Sequence, residues 1–537
     1  MAGIVLRNQL RTLKSVAWEE TDFLLAVQHQ RDADDFRQRI SGESDSIAAV
    51  VRHHLRLRAD DSCVVLPPES WIQGGFNLCV LVDVQSRQSS RQSSRRFVFR
   101  CPLPHKLAEH RHPGTIDEKV ACEVATYCWM QEHCADVRIP HLYAFGFADG
   151  SRFVHIQQRP WYVRIRHGLR KWIYRLLGYP LLSNYVRDTR TPAVNTAYML
   201  LEHIGPETGK MLSTTWARHR LDPSRQDRLF RGLARVMLSL ARLPQPHIGS
   251  FRFNASDGTV TLTNRPLTCT TMIFENSEMP RNIQPCQVYR STDTFASDML
   301  TLHDNYLLHY RHAVRNTKDA QERIAIRTLL RAVMHHFVPP DHRHGPFLLQ
   351  LTDIHQSNIF VDDDWNVTCL LDLEWICALP AQMLAVPHWL TDCAVDDIVG
   401  AEYETFDQVR RKFLSAMDQE IKTSRLAHDV PITRTMQDSW SSKAVWFWLC
   451  IMSINGWLFV FEDHILPKFG ASKDLVPELK QVSALWIEDI DAVVKNKVED
   501  EAKYQEELCS LFASQGAPKD SPSTLAEDNQ PPQAIPL

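Results

Sequence analysis

Polar residues at suggestive spacing are concentrated between Leu348 and Trp375. Asp353 and Asn358 stand in the spacing D-x-x-x-x-N, and Asp372 follows at the end of an apolar run. Short β-branched runs flank an Asp- and Asn-rich turn between them, which predicts a β-hairpin. A hairpin of this length returns its end to its start, so we expect Asp372 to lie beside Asn358.

Two oxygen ligands and a separate carboxylate are parts that phosphoryl transfer requires. Asn358 and Asp372 suit Mg²⁺, which binds few carboxylates and shares its coordination sphere with phosphates and water. Asp353 is the candidate catalytic base, which orients and deprotonates a substrate hydroxyl. The competing interpretation is an ordinary turn whose Asp and Asn side chains bind loop backbone. The carboxylate at the end of the hairpin favours the catalytic interpretation.

The elements that must position these residues fall into two groups. Runs rich in β-branched and aromatic residues predict strands within 63–84, 97–101, 140–147 and 198–202. Apolar residues at helical spacing predict one helix among them, from about Asp117. Beyond Gly205 the patterns are mainly helical, with segments at 223–243, 294–314, 319–337, 401–423, 441–461 and 474–510. We therefore predict an α+β fold, in which a small antiparallel sheet with one main helix precedes a larger helical part.

The wording L-T-D-x-H-x-S-N-I-F-V-D at 351–362 resembles the catalytic stretch of the aminoglycoside phosphotransferase and choline kinase-like family, and is closest to a fungal branch of it. The resemblance covers roughly residues 63 to 470. It implies a bilobal, protein-kinase-like fold with an N-lobe that binds nucleotide and a C-lobe that carries the catalytic hairpin. It also implies that Asp353 is the base and that Asn358 and Asp372 hold magnesium.

The same resemblance implies a set of cofactor-binding residues: Gly74, Gly75, Arg100, Glu123, Glu202 and His203. The two glycines match a nucleotide-covering turn, and the last two residues match the hinge that meets adenine. Arg100 occupies the place of the phosphate-binding Lys, with Glu123 as its helical partner. Three of these assignments have an ordinary alternative. The glycines could form a plain turn, Arg100 could be a solvated charge at a sheet edge, and Glu123 could be a surface carboxylate. Their order along the chain favours the nucleotide interpretation.

Three features depart from the pattern of protein kinases. Leu351 stands where kinases usually carry a His, two residues before the catalytic Asp. Arg100 replaces Lys. Arginine keeps its charge and can bind phosphate bidentately, but arginine and lysine are not interchangeable at such a site. Leu-Glu-Trp follows Asp372 instead of Phe-Gly, and no A-P-E segment follows, which argues against a regulated protein kinase.

Two functions are open at this point. The first is an ATP- and Mg²⁺-dependent kinase that transfers the γ-phosphate to a hydroxyl of a small molecule. The alternative is a catalytically weak or silent kinase-like protein that binds nucleotide or a partner, since a fold does not guarantee an activity.

Length and composition limit the expected number of domains, the class of partner and the cell compartment. The chain has 537 residues, more than one compact domain usually holds, and its net charge of −4 argues against nucleic acid as a partner. The 13 cysteines occur without a CxxC pair or zinc-type spacing, so we expect reduced thiols in a cytoplasmic protein. We divide the chain into an N-terminal helical extension (1–62), an N-lobe (63–204), a C-lobe (205–510, with the catalytic hairpin at 353–372) and a disordered tail (511–537).

Two further segments have competing interpretations. The insertion 151–187 carries eight Arg or Lys and no Asp or Glu, and its amphipathic middle could contact membrane headgroups. The favoured interpretation is that it packs on the N-lobe with its arginines solvated or facing phosphate. The apolar run from Ala444 to Phe461 nearly reaches the length of a membrane span, but Ser453 and Gly456 interrupt it. We predict a buried helix there and no transmembrane segment.

Overall fold

The computed structural model describes residues 3–6, 9–86, 93–423, 429–471 and 481–514. They form a mixed α and β fold with antiparallel sheets. The strands are Ile4–Leu6 (β1), Gln9–Arg11 (β2), Ser62–Val65 (β3), Ile72–Gln73 (β4), Asn77–Ser86 (β5), Ser93–Pro102 (β6), Leu142–Gly146 (β7), Arg152–His155 (β8), Leu181–Leu182 (β9), Tyr185–Arg187 (β10), Tyr198–Glu202 (β11), Lys210–Met211 (β12), Ser250–Phe253 (β13), Thr259–Asn264 (β14), Phe347–Leu351 (β15), Ile359–Val361 (β16), Val367–Leu370 (β17) and Ile376–Pro380 (β18).

The helices are Leu13–Val16 (α1), Phe23–Gly42 (α2), Ser44–Leu55 (α3), Thr115–His133 (α4), Trp161–Leu176 (α5), Ser213–His219 (α6), Pro223–Ala241 (α7), Cys269–Asn276 (α8), Thr292–His309 (α9), Thr317–Val333 (α10), Gly400–Thr423 (α11), Ile432–Ser441 (α12), Ala444–Met452 (α13), Trp457–Val460 (α14) and Ile490–Ser514 (α15). Each of the 13 cysteines is a free thiol.

The largest sheet has eight strands in the order β10-β8-β7-β11-β6-β5-β3, with β4 paired to β5. Both of its faces are buried. Along β11, Tyr198 and Leu200 pack with α2 and α3, whereas Met199 and Leu201 pack with α4 on the other face. Successive side chains of a strand point to opposite faces, so an uninterrupted apolar run such as β11 is the sequence mark of a sheet covered on both sides.

Because of this second covered face, the segment 1–62 is more than a helical extension. Helices α2 and α3 complete the core of the main sheet, and the chain begins with the β1–β2 hairpin, which the sequence did not indicate. The predicted sheet with a single helix therefore has a helical layer on each side. The predicted main helix is present as α4, which is buried along most of its length.

The helical part agrees with the sequence for α7, α9, α10 and α11, whose ends lie within five residues of the predicted ones. The predicted helix 441–461 is wrong in one respect. It breaks between α13 and α14, where Ser453 is extended and its Oγ accepts a hydrogen bond from the amide of Gly456 at 3.0 Å. Among the described residues, no helix is both long and apolar enough to cross a bilayer.

The C-terminal boundaries also differ from the prediction. Helix α15 begins at Ile490 rather than at 474, and residues 474–480 lie outside the described part of the chain. It continues to Ser514, so the proposed tail does not begin at 511. Phe512 is buried and its ring lies 5.6 Å from that of Phe23, which ties the last helix to the first long one. The remainder of the predicted tail, 515–537, lies outside the described residues.

The basic segment 151–187 is only partly an insertion. Its ends form β8 and β10 of the main sheet, whereas its middle forms α5, which contains no buried residue. One half-buried stripe of α5 meets the rest of the chain, through contacts such as that of His167 with Ser183 and that of Lys171 with Glu132, and the arginines of the helix are exposed, as expected. Large apolar side chains of this helix are exposed as well.

Candidate functional site

The hairpin predicted at 353–372 is present. Strands β16 and β17 are antiparallel, with Ile359 opposite Leu370, and the amide of Leu371 donates to the carbonyl of Asn358 at 2.8 Å. This register places Asp372 beside Asn358, as the hairpin length predicted. Asp372 has a φ of 58°, in the left-handed region, so the chain turns sharply at the point where its carboxylate leaves the strand.

The loop that carries Asp353 is fixed by short hydrogen bonds on both sides. Thr352 Oγ1 donates to the carbonyl of Trp375 at 2.6 Å, and Asn358 Nδ2 donates to the carbonyl of Asp353 at 3.0 Å. His355 Nδ1 accepts from the amide of Ser357 at 3.2 Å. These contacts hold the loop without a His at position 351.

Arg100 joins the main sheet to this hairpin. It lies on β6, is 8% exposed, and its guanidinium donates to Glu123 on α4 and to Asp372. A third contact, of 3.2 Å, reaches Glu374 Oε2. The predicted pairing of Arg100 with Glu123 is confirmed, and neither residue has the ordinary surface role that was its alternative, since Glu123 is fully buried.

A second buried cation, Lys119, was missed by the sequence reasoning. It lies one turn before Glu123 on α4 and is 0% exposed. Its Nζ lies 2.5 Å from Glu374 Oε2, 3.3 Å from Glu123 Oε2 and 2.8 Å from Asn77 Oδ1. Asn77 Nδ2 in turn donates to Glu374 Oε2 at 2.7 Å. The i, i+4 spacing of a Lys and a Glu within an apolar helix was the signal that could have found it.

We call Arg100, Lys119, Glu123, Asp372 and Glu374 the ionic cluster. It contains two cations and three carboxylates, so one negative charge is unbalanced before Asp353 is counted. Burial raises the pKa of Asp372; Arg100 opposes this effect and Glu374 adds to it. Burial also raises the pKa of Glu123, against the two cations. Burial acts in the same direction on Glu374, but Lys119 and Arg100 outweigh it and leave the pKa of Glu374 below its usual value.

Asp353 lies close enough to feel this excess of negative charge. Burial raises its pKa to about 6; His355 opposes the shift, and Asp372 and Glu374 add to it. A carboxyl group whose pKa approaches neutrality is better suited to accept a proton than an ordinary surface Asp. An uncompensated negative charge is also what a site for a divalent cation requires.

The glycine turn is linked to the cluster through Asn77, whose side chain contacts Lys119 and Glu374. Gly74 and Gly75 are exposed between β4 and β5, two residues before Asn77, and the amide of Gly74 donates to the carbonyl of Asn77 at 2.9 Å. A Cβ added at Gly75 would meet no atom within 4 Å, and one at Gly74 only Asn77 O at 3.7 Å. The fold itself therefore does not require glycine here, whereas a ligand that approaches the backbone closely would.

The predicted hinge residues lie at the end of β11. Glu202 accepts from the amide of His141 at 3.0 Å and from Arg138 Nη2 at 3.2 Å, so its side chain has a structural role. Burial lowers the pKa of His203. The chain then leaves the main sheet and forms β12, which pairs with β16 of the catalytic hairpin. Gly209 permits this approach, because a Cβ there would lie 2.3 Å from Val361 O.

Asn358 and Asp372 fit a magnesium ion that takes most of its ligands from phosphates. The amide nitrogen of Asn358 is used inside the loop, which leaves its oxygen for a ligand. One carboxylate oxygen of Asp372 accepts a hydrogen bond from Arg100, and the Asp372 side chain is 28% exposed. Within the described residues, no group of three or more His, Cys, Asp or Glu side chains is arranged to hold a metal by itself. Mg²⁺ in phosphate-bound sites needs only one or two carboxylates.

The structure thus brings Arg100, Glu123 and Asp372 into direct contact and places Asn358 and Asp353 beside them. Glu202 and His203 lie apart, at the end of β11, with no contact to the ionic cluster among the bonds described above. In comparisons with known proteins, no family model matches the chain, and no curated protein matches it significantly.

Proposed function

We propose that this chain is a phosphotransferase with a bilobal, protein-kinase-like fold, related to the aminoglycoside phosphotransferase and choline kinase-like family. It uses ATP and Mg²⁺ to phosphorylate a hydroxyl group of a small molecule. One observation carries the proposal: a buried ionic cluster joins a sheet strand, a helix and the end of the D-x-x-x-x-N hairpin, and Asn77 connects it to the glycine turn.

Each part of the cluster has a separate task in this proposal. Arg100, whose guanidinium reaches the partly exposed Asp372, is the cation that contacts the phosphates. Lys119 is fully buried and serves as the counter-ion that holds Glu123 and Glu374 in place. Gly74 and Gly75 leave room for the phosphates to approach the backbone.

The chemical step follows from the position and the raised pKa of Asp353. Its carboxylate accepts the proton of the acceptor hydroxyl while the acceptor oxygen forms a bond to the γ-phosphorus. The bond between that phosphorus and the β–γ bridging oxygen breaks, and ADP leaves. Asn358 and Asp372 would hold the magnesium ion, which would supply positive charge that offsets the charge of the phosphates.

One observation favours the second candidate, a silent kinase-like protein. The guanidinium of Arg100 is already shared among three carboxylates, including the proposed magnesium ligand Asp372. A nucleotide must compete with these ion pairs for Arg100. If that competition fails, the same cluster is only a buried ionic core.

The test has two stages, and both use the full chain. The first measures ATP binding by calorimetry with and without Mg²⁺, for the wild type and for Asp372→Asn. We expect metal-dependent binding that the substitution weakens at least tenfold. The matched control is Asp363→Asn in the turn of the same hairpin, where the side chain is 89% exposed; it should bind as the wild type does.

The second stage measures ADP release across a panel of hydroxyl-bearing metabolites, for the wild type and Asp353→Asn. Acceptor-dependent release that Asp353→Asn abolishes supports the kinase. Tight Mg-ATP binding without turnover on any acceptor supports the silent protein instead. No ATP binding by the folded wild type overturns the kinase, and it also overturns the silent protein in its nucleotide-binding form.

A further inference from the structure

Helix α5 projects a continuous apolar face into solvent. We call this face the α5 apolar face; it consists of Trp161, Tyr162, Ile165, Leu169, Trp172, Ile173 and Leu176. The exposure is large: 71% for Trp161, 57% for Leu169 and 59% for Trp172. Single exposed apolar residues are common on proteins, but a cluster of this size on one element marks an interaction surface.

The orientation of the helix is fixed by its opposite face. The half-buried residues Val163, His167, Lys171 and Tyr174 recur every three or four positions and form the stripe that meets the protein. His167 bonds to the carbonyl of Ser183 at 2.9 Å. Lys171 Nζ lies 2.8 Å from Glu132 Oε2. With about 3.6 residues per turn, this stripe and the α5 apolar face lie on opposite sides of the helix.

Cations border the α5 apolar face on both of its edges. By helical position, Arg166 and Arg170 lie along one edge, and Arg164 and Arg175 along the other. The whole segment 151–187 contains no Asp or Glu. Within the described part of the chain, Arg164 and Arg166 form no ion pair, whereas Arg175 pairs with Glu132.

This arrangement selects one occupant. An apolar face with tryptophans, bordered by cations and directed away from the protein, matches the boundary between the acyl chains and the anionic headgroups of a bilayer. The 16 residues of α5 span only about 24 Å and carry charge, so the helix suits the plane of the interface rather than a crossing. We propose that α5 is a membrane-surface anchor, which docks the protein on anionic lipid with the α5 apolar face immersed.

The experiment is co-sedimentation of the full chain with vesicles. Wild-type protein should sediment with vesicles of phosphatidylcholine and phosphatidylserine, and more weakly with phosphatidylcholine alone. The variant Leu169→Ser with Trp172→Ser should lose about 100-fold in binding constant, because burial of each large apolar side chain contributes roughly tenfold or more. The matched control, Leu221→Ser with Leu485→Ser, changes residues that are 78% and 81% exposed elsewhere and should bind normally.

A second pair of variants isolates the charge contribution. Arg164→Gln with Arg166→Gln should weaken binding to the anionic vesicles by about 25-fold, since one cation near such a surface contributes about fivefold. Lys412→Gln with Lys422→Gln, at two exposed cations of α11, is the control that should leave binding unchanged. All substituted side chains are in solvent, so melting temperatures should match the wild type.

Three outcomes overturn the proposal. The first is a folded wild type that does not sediment with either vesicle, and the second is an α5 variant that binds as the wild type does. The third is a dimer, seen by light scattering without lipid, that Leu169→Ser with Trp172→Ser converts to monomer; a second copy of the chain then covers the α5 apolar face. Neither measurement involves ATP, so the result is independent of the proposed kinase activity.

Discussion

Substitution of Lys119 by Met probes the ionic cluster most directly. Lys119 and Met are similar in length, so the change removes the charge and leaves the packing nearly intact. Glu374 would keep Arg100 at 3.2 Å and Asn77 at 2.7 Å but would lose its nearest partner, at 2.5 Å. Glu123 would keep only Arg100. The variant therefore leaves three carboxylates to share Arg100 as their one remaining cation in the ionic cluster.

The size of the effect follows from that loss. Removal of one partner from a buried ion pair costs about 3–5 kcal/mol, because the remaining charge stays desolvated. For a chain of this length that corresponds to a fall of roughly 3–5 °C in melting temperature. Lys412→Met, which removes an exposed ammonium on α11, should change the melting temperature by less than about 1 °C and serves as the control.

A double-mutant cycle with Glu374→Gln separates the ion pair from general damage to the site. If Lys119 stabilises the protein by compensating Glu374, then Lys119→Met with Glu374→Gln should cost less than the two single changes together, by about 1–3 kcal/mol. Urea unfolding followed by fluorescence and circular dichroism gives the values. Strictly additive losses, or a Lys119→Met variant as stable as the wild type, would refute the assignment of Lys119 as a buried counter-ion.

Four further outcomes are expected. Asp353→Asn should lower acceptor-dependent turnover by about 10²–10⁴-fold and leave the Kd for Mg-ATP unchanged, as measured by ADP release and calorimetry. In the wild type, kcat/KM should rise with pH through about 6, where Asp353 becomes the proton-accepting carboxylate, and then level off; a flat profile from pH 5 to about 7 contradicts this base. Gly75→Ala should weaken ATP binding with no change in melting temperature, since the added Cβ would meet no atom of the protein within 4 Å. Phe512→Ala should cost about 3–5 kcal/mol of stability, as measured by urea unfolding.

The catalytic hairpin could be predicted because its geometry is local. Apolar runs on either side of an Asp- and Asn-rich turn fix the register, and the register alone places Asp372 beside Asn358. The position of Arg100 relative to Glu123 was inferred from the resemblance, and the ion pair between them is present. Whether these residues bind nucleotide remains a proposal.

The spacing of Lys119 and Glu123 on α4 is local and could have indicated their pairing, but the rest of the environment of Lys119 could not be predicted in this way. Its contacts with Asn77 and Glu374 join residues far apart in the sequence, and no local pattern reports them. A Lys on a helix is almost always solvated, and only the burial of α4 on nearly every side makes this one part of the core. The contacts of Glu202 are long-range in the same way.

For helix α5 the sequence pattern was recognised, but the orientation of the helix was not. The sequence described it correctly as basic and amphipathic, but amphipathicity does not say which face meets the protein. An apolar stripe normally packs inward because burial is favourable. Here the stripe that meets the protein contains His167 and Lys171, whose polar groups bond to Ser183 and Glu132, and these contacts direct the apolar side outward.

The ionic cluster gives a physical reason for linking stability to ligand binding in this protein. Arg100 belongs to the main sheet, and the carboxylates it binds come from α4 and from the end of the catalytic hairpin. A phosphate that takes Arg100 away from Asp372 frees a carboxylate oxygen, and a divalent cation is the natural partner for that oxygen. The affinity for nucleotide should therefore be higher when the metal is bound, and the affinity for the metal should be higher when nucleotide is bound. A ligand that binds Arg100 without a metal leaves the carboxylate of Asp372 partly buried and unpaired. The desolvation of that charge then makes the binding free energy of the ligand less favourable.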